Sequence, residues 1–261
     1  MDQGTQKKPM IIAIIVLVLL LLGVIIYLVI RNSKESDVAV VPTSSPTTTS
    51  SILAEYKIEN VPYYAEAGFC YGASAMMVLE YKGLSADEAQ EYKKEVEGGK
   101  GGPPDIFIGF NNLGLEDSVY MAYSINYNQQ FRDFYDSFVA DPEKQVILFD
   151  SQEEAFGKLK ELISQNNPVI TIIDSGNHYV VVTGYDSDLI YVNDPDPDNG
   201  GASKKIPIQE FLAQWNVKNQ SETTGQALGY PGDYSMIWFD DKLEINEDDI
   251  VEDDEGDGLD D

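Results

Sequence analysis

The chain contains one cysteine, Cys70, and one histidine, His178. Any chemistry that needs a thiolate nucleophile or an imidazole base must therefore use these two residues. Cys70 lies in Gly68-Phe69-Cys70-Tyr71-Gly72-Ala73, where the extended segment Val61-Pro62-Tyr63-Tyr64 gives way to a helical pattern. A thiol in the first turn of a helix meets unpaired backbone N–H groups and the positive end of the helix dipole, which favour its thiolate. Taken alone, a single cysteine is as well explained as a small buried hydrophobe. His178 opens the apolar run His178 to Tyr185; Asp186-Ser187-Asp188 then supplies turn residues before Leu189-Ile190-Tyr191-Val192-Asn193-Asp194. A hairpin centred on Asp186 predicts His178 opposite Asp194, Val180 opposite Val192 and Val182 opposite Ile190. Directly opposed side chains stand about 4.5–5.5 Å apart at Cβ, so a carboxylate at 194 can reach the imidazole and fix its tautomer. A slip of one residue removes that pairing, leaving a solvated histidine at a strand end and an ordinary turn aspartate before Pro195.

The elements that must position these residues can be read from spacing. Ala73, Met76, Met77 and Val78-Leu79 follow the helical period over 70–81, and Ser85 with Glu88 forms a capping box that opens a second helix towards Val96. Ser151 with Glu154 opens another, before Phe156, Leu159, Leu162 and Ile163. Strands follow at 168–173, 178–185, 189–192 and 235–239, with a helix over 208–215 between the last two. Helices first and antiparallel strands afterwards predict an α+β domain, its N-terminal helices packed on an antiparallel sheet over 55–239.

Composition narrows the partners. The 261 residues include 45 Asp and Glu against 17 Lys and Arg, a formal charge of −28. Such a chain repels phosphate backbones and anionic lipid surfaces, so no nucleic acid is expected as partner. One cysteine makes no internal disulfide and no thiolate metal site, and one histidine makes no histidine-rich one, so no cofactor is called for. Residues 10–30 carry no charge and, as a helix, span roughly 30 Å, the length of a transmembrane anchor. No small-residue cleavage site follows them. Residues 1–9 are then a short cytoplasmic N-terminus and 31–54 a Ser/Thr/Pro-rich stalk, with the C-terminal domain facing outside the cytoplasm. Residues 240–261 hold 13 acidic residues and one lysine and are expected to be disordered. Oligomeric state is left open. Four further patterns are read blandly: Asp253-x-Glu255-x-Asp257-Gly258 as a solvated acidic tail, Asp194-x-Asp196-x-Asp198 as a rigid acidic loop, Gly98 to Pro104 as a flexible loop, and Asn219-Gln220-Ser221 as a chance sequon.

The blocks Val61-Pro62-Tyr63-Tyr64-Ala65-Glu66, Cys70 to Leu79, His178 to Asp186 and Tyr191-Val192-Asn193-Asp194-Pro195 resemble the motifs of the C-39-like cysteine peptidase domain. That family belongs to the papain-like clan and includes the bacteriocin-processing, double-glycine peptidases. Glu210-Phe211-Leu212-x-x-Trp215 and Met236-Ile237-Trp238-Phe239 resemble its closing helix and last strand. The resemblance, over roughly residues 58 to 239, implies a papain-like fold with Cys70 as nucleophile, His178 as general base and acid, and Asp194 orienting His178. It also implies thiol-dependent hydrolysis of a peptide or amide bond in a peptide or protein substrate. Two positions depart from the family pattern. Glu66 stands where a glutamine commonly donates to the oxyanion, and Cys70-Tyr71-Gly72 replaces the common Cys-Gly-Pro. An ionised carboxylate cannot donate a hydrogen bond, so Glu66, the Tyr64 hydroxyl and the helix-start N–H of Cys70 are the candidates for that task. A catalytically degenerate peptide- or wall-binding module, and an acyl or peptidyl transferase using the same residues, remain the alternatives.

Overall fold

A computed structural model describes residues 53–97, 103–125, 136–215 and 232–240, together with Asp133 and Leu243. The expected anchor at 10–30, the stalk up to residue 52, the glycines at 98–102, the sequon at 219–221 and the tail beyond Asp240, apart from Leu243, lie outside the described residues. Among the described residues no helix is long and apolar enough to cross a membrane.

The first helix among the described residues, α1, runs Cys70–Tyr81, and every residue from Tyr71 to Leu79 is buried. A helix apolar on all sides must be enclosed, and α1 is packed between the other N-terminal helices and the sheet. Helix α2, Ala86–Val96, begins at the expected capping box: Glu88 N–H donates to Ser85 Oγ at 3.3 Å, and Ser85 N–H donates to Glu88 Oε2 at 2.6 Å. Helix α3, Pro103–Asn112, lies where a flexible loop was expected to end. Proline is tolerated in the first helical turn, and the periodic apolar residues Ile106, Phe107 and Phe110 carry the helix onward into the core. A short α4, Pro142–Gln145, precedes α5, Gln152–Ser164. The Ser151 hydroxyl accepts from Glu154 N–H as expected, but the Glu154 carboxylate reaches back to Asp150 N–H and not to that of Ser151, so the capping box is not closed. The last helix is α6, Ile208–Gln214.

Among the described residues eight strands form one sheet: β1 Tyr56–Lys57, β2 Val119–Ser124, β3 Val146–Phe149, β4 Val169–Ile173, β5 His178–Tyr185, β6 Leu189–Asn193, β7 Lys204–Pro207 and β8 Met236–Phe239. Their order is β3-β2-β8-β4-β5-β6-β7. β1 pairs with β5 at Gly184 and Tyr185, beyond the point where β4 pairing ends at Val182. The expected purely antiparallel sheet is corrected in one place, because β2 and β3 run parallel. Residues 125–145 form a connection long enough to bring the chain back to the same end of the sheet before β3 begins, as a parallel pair requires.

Two apolar layers cover the sheet. α1, α2 and α3 bring Met76, Tyr92 and Phe110 against Ile170, Ile172, Tyr179 and Val181. On the other side α5 and α6 bring Leu159, Phe211 and Trp215 against Val180, Val182 and Val192. With both faces covered, β4 and β5 read as near-continuous apolar runs, interrupted by the buried Thr171 and Thr183.

Candidate active site

Cys70 is the first residue of α1, partly exposed at the start of an otherwise buried helix. The chain enters it through a 3-10 turn, Ala67–Phe69, in which Phe69 N–H donates to Glu66 O at 2.9 Å. Gly72 is used for space: a Cβ there would lie 2.0 Å from the Phe69 ring, which folds over this turn. Phe69 meets Tyr71 edge-on at 4.8 Å, and Tyr71 meets Tyr179 at 6.5 Å between ring centroids. Tyr179 is the neighbour of His178, so a row of three rings ties the cysteine-bearing turn to the histidine-bearing strand.

The β5–β6 register differs from expectation. Val182 pairs with Val192 and Val181 with Asn193, while Gly184 pairs with Tyr191 and Tyr185 with Ile190, with a bulge between Val182 and Gly184. His178 is therefore not directly opposite Asp194, which lies just past the end of β6. The displacement is two residues along the strand, an even number, so both residues keep the same face. The bulge is what preserves this relation. Carried on from the Tyr185/Ile190 pair, an unbroken ladder would set Asp194 beside Val181, on the face away from His178; the bulge sets it beside Val180. The side chains meet across this diagonal, with His178 Nε2 donating to Asp194 Oδ1 at 2.6 Å.

Asp194 is fully buried and takes four hydrogen bonds. Oδ1 accepts from His178 and from the Asp196 N–H at 3.0 Å, and Oδ2 accepts from Asn199 Nδ2 and Lys204 Nζ, each at 3.0 Å. Burial works against its charge, but the bonds from His178, Lys204 and Asp196 outweigh it and hold the carboxyl below the usual range. Burial likewise opposes a proton on His178. Hydrogen bonds to Asp194 and Cys70, with their negative charge, overcome it and push the imidazole up to about 9. With Nε2 given to the carboxylate, Nδ1 is the nitrogen left to serve Cys70. Helix α1, strand β5 and the loop after β6 carry Cys70, His178 and Asp194 respectively, with His178 and Asp194 hydrogen-bonded and Cys70 contributing to the charge balance at the imidazole.

The other two candidates are engaged nearby. The Tyr64 hydroxyl donates its one proton to Glu80, and burial, that bond and the charges of Glu80 and Glu66 push it up to about 12. Glu66 pairs with Lys93 of α2 at 2.7 Å, and Lys93 Nζ lies 5.7 Å from the centre of the Phe69 ring. Asn193 binds the extended segment to the site, donating to Val61 O at 3.4 Å and Pro62 O at 3.2 Å. Lys204, Asn199 and Lys93 escaped the sequence reading. Only Gly200-Gly201 hinted at a reversal that returns the chain to Asp194, through Asp194 N–H donating to Gly201 O at 3.0 Å. Asp196 is the side-chain cap of its own turn, accepting from Asp198 N–H. Among the described residues no group of three or more His, Cys, Asp or Glu is placed to hold a metal ion. A cavity of about 510 Å³ lined by Tyr56, Lys57, Tyr185, Tyr191 and Lys205 lies at the turn end of the β5–β6 hairpin, and none of the three residues lines it.

Residues 58–222, more than half of the chain, match the model of the Peptidase_C39 like family, and the chain belongs to that family. Two solved structures are similar at 14% identity: one described as a C39-like peptidase from Bacillus anthracis, with a TM-score of 0.43 over 74% of this chain and 99% of that one, and the peptidase domain of Streptococcus ComA, a bifunctional ABC transporter of a quorum-sensing pathway, with a TM-score of 0.37 over 68% and 96%. No curated protein matches.

Proposed function

We propose that the domain hydrolyses peptide or amide bonds, with Cys70 as nucleophile, His178 as acid and base, and Asp194 holding His178. The observation that carries this reading is the join between the chain's sole histidine, its sole cysteine and a fully buried aspartate. In the first half-reaction the Cys70 sulfur attacks the scissile carbonyl carbon, His178 gives its proton to the leaving amine, and a thioester remains. In the second, His178 takes a proton from water, the hydroxide oxygen adds to the thioester carbon, and the acid leaves as the thiolate and imidazolium are restored. The Cys70 backbone N–H at the helix start supports the oxyanion, and Lys93 offsets the Glu66 charge that would oppose it. The apolar run at 10–30 and the Ser/Thr segment that follows favour an anchored domain outside the cytoplasm; protease added to intact cells then releases the domain by cutting within 41–52, whereas cleavage only after lysis reverses the orientation.

The full chain carries a single thiol, so a thiol-reactive electrophile reports on Cys70 alone. Cys70 should react faster than a free cysteine, and His178→Ala should remove the difference. Equal rates in wild type and His178→Ala would reject the reading. Rapid labelling without release of any peptide product, or transfer to an added amine acceptor in place of hydrolysis, would assign the same residues to binding or to transfer.

A further inference from the structure

We propose that Lys204 is a positioning residue of this site, whose charge on the far oxygen of Asp194 limits how firmly that carboxylate holds the proton on His178. The proposal rests on the peptidase reading for its purpose, because proton passage through His178 belongs to that reaction.

The carboxylate is fully buried and its two oxygens are divided: His178 takes Oδ1, and Lys204 takes Oδ2. Two neutral donors, the Asp196 N–H and Asn199 Nδ2, also hold one oxygen each. They suffice to fix the carboxylate's orientation. What Lys204 alone adds is positive charge. A cation within a few ångströms of a second cation disfavours it, so Lys204 opposes the imidazolium that Asp194 promotes.

The lysine is built into the fold. It opens β7 and pairs with Val192, two residues before Asp194. Its stem crosses Gly200, where a Cβ would stand 2.9 Å from the lysine Cγ and Cδ, and Gly200 has a φ of +116°. Only glycine adopts that conformation readily while leaving the stem its path. The groups facing His178 are Cys70 from α1 and Asp194 from the loop after β6; those near Asp194 are Lys204, Tyr63 and Asp196. Tyr63 is neutral and Asp196 is negative, so Lys204 is the cation that opposes protonation of His178. A site that had only the buried aspartate would keep His178 charged to a higher pH and make it a poor base towards water.

Because the chain has one histidine, isotope-labelled imidazole in the full chain gives one set of NMR signals to titrate. Lys204→Met should raise the His178 midpoint by about half a pH unit or more, and Lys204→Arg, which keeps the charge, should leave it close to wild type. An unchanged or lowered midpoint in Lys204→Met refutes the proposal. Equal upward shifts in the Met and Arg variants refute it too, since they would trace the effect to packing. If Lys204→Met does not fold, Lys204→Gln keeps a donor to Oδ2 without the charge and is read by the same criterion. The readout needs no turnover: a raised midpoint in a protein without hydrolytic activity rejects the peptidase reading and supports the electrostatic role of Lys204, whereas full activity with an unmoved midpoint rejects the role of Lys204 alone.

Discussion

Asp194→Asn removes a buried negative charge while keeping nearly the same shape, and it leaves His178 with burial and the Lys204 ammonium opposing a proton and Cys70 alone favouring one. The imidazole should therefore fall from about 9 towards its ordinary 6.5. A complete fall of about 2.5 in pKa, the upper limit, corresponds to about 3 kcal/mol, trimmed to about 2–3 kcal/mol by solvent at the partly exposed ring. The His178 side chain is only 15% exposed, so most of the effect survives screening. The sign follows from linkage. The folded protein binds the His178 proton more tightly than the unfolded chain, so this contribution to stability is complete below pH 6.5 and is lost as pH rises through about 9. Wild type should lose about 2–3 kcal/mol between those limits that the variant does not lose. Denaturant melts at both ends of the range, run on both proteins, isolate the term, and NMR titration of the sole histidine gives the midpoints directly. Should the Asn variant prove too unstable because Lys204 is left without its counter-charge, the double variant with Lys204→Met removes that burden. A wild-type midpoint near 6.5, or a variant within about half a pH unit of wild type, would refute the reasoning.

Four other substitutions test the turn around Cys70 and the far end of the strand that begins at His178. Gly72→Ala places a methyl 2.0 Å from the Phe69 ring; it should cost about 1–3 kcal/mol, read as a lowered Tm, with the ring displaced from Tyr71. Lys93→Met leaves the Glu66 carboxylate uncompensated and should reduce kcat/KM about tenfold or more, and adding Glu66→Gln should restore it; absence of rescue would separate Glu66 from the oxyanion path. Gly184→Ala brings a methyl 2.8 Å from the Tyr56 carbonyl oxygen, so β1 should detach and limited proteolysis should cut near Tyr56 first.

Much of the frame was legible because local signals agreed with tertiary packing. The helix from Cys70, the Ser85 box and the apolar runs at β4, β5, β6 and β8 each carry a short-range pattern that the core then uses. Strands β2 and β3 were missed. Val119–Ser124 contains Tyr120 and Tyr123 among small and apolar residues; Gly114 and Asp117-Ser118 mark a turn before it, but its place in the sheet comes from partners more than twenty residues away. The Gly-Pro segment before α3 was read by its composition, while the periodic Ile106, Phe107 and Phe110 behind it mark the buried side of a helix.

The pairing of His178 with Asp194 shows a different limit. A hairpin drawn from its turn yields a register, but the register near the turn is not the one near His178, because an extra residue in β5 intervenes. Thr183 and Gly184 gave the only sign of it, glycine being the residue that often marks a bulge and here also the one that lets β1 approach. His178 and Asp194 nonetheless meet, since an error of two residues preserves the face where an error of one would have lost it. Lys204 could not be found in that way. It reaches Asp194 from a neighbouring strand through a loop whose shape depends on Asn199, Gly200 and Gly201, and neither spacing nor hydrophobic period records where a ten-residue excursion returns. Sequence pattern therefore located the histidine and the carboxylate that charges it; the counter-charge behind the carboxylate is a property of the folded loop.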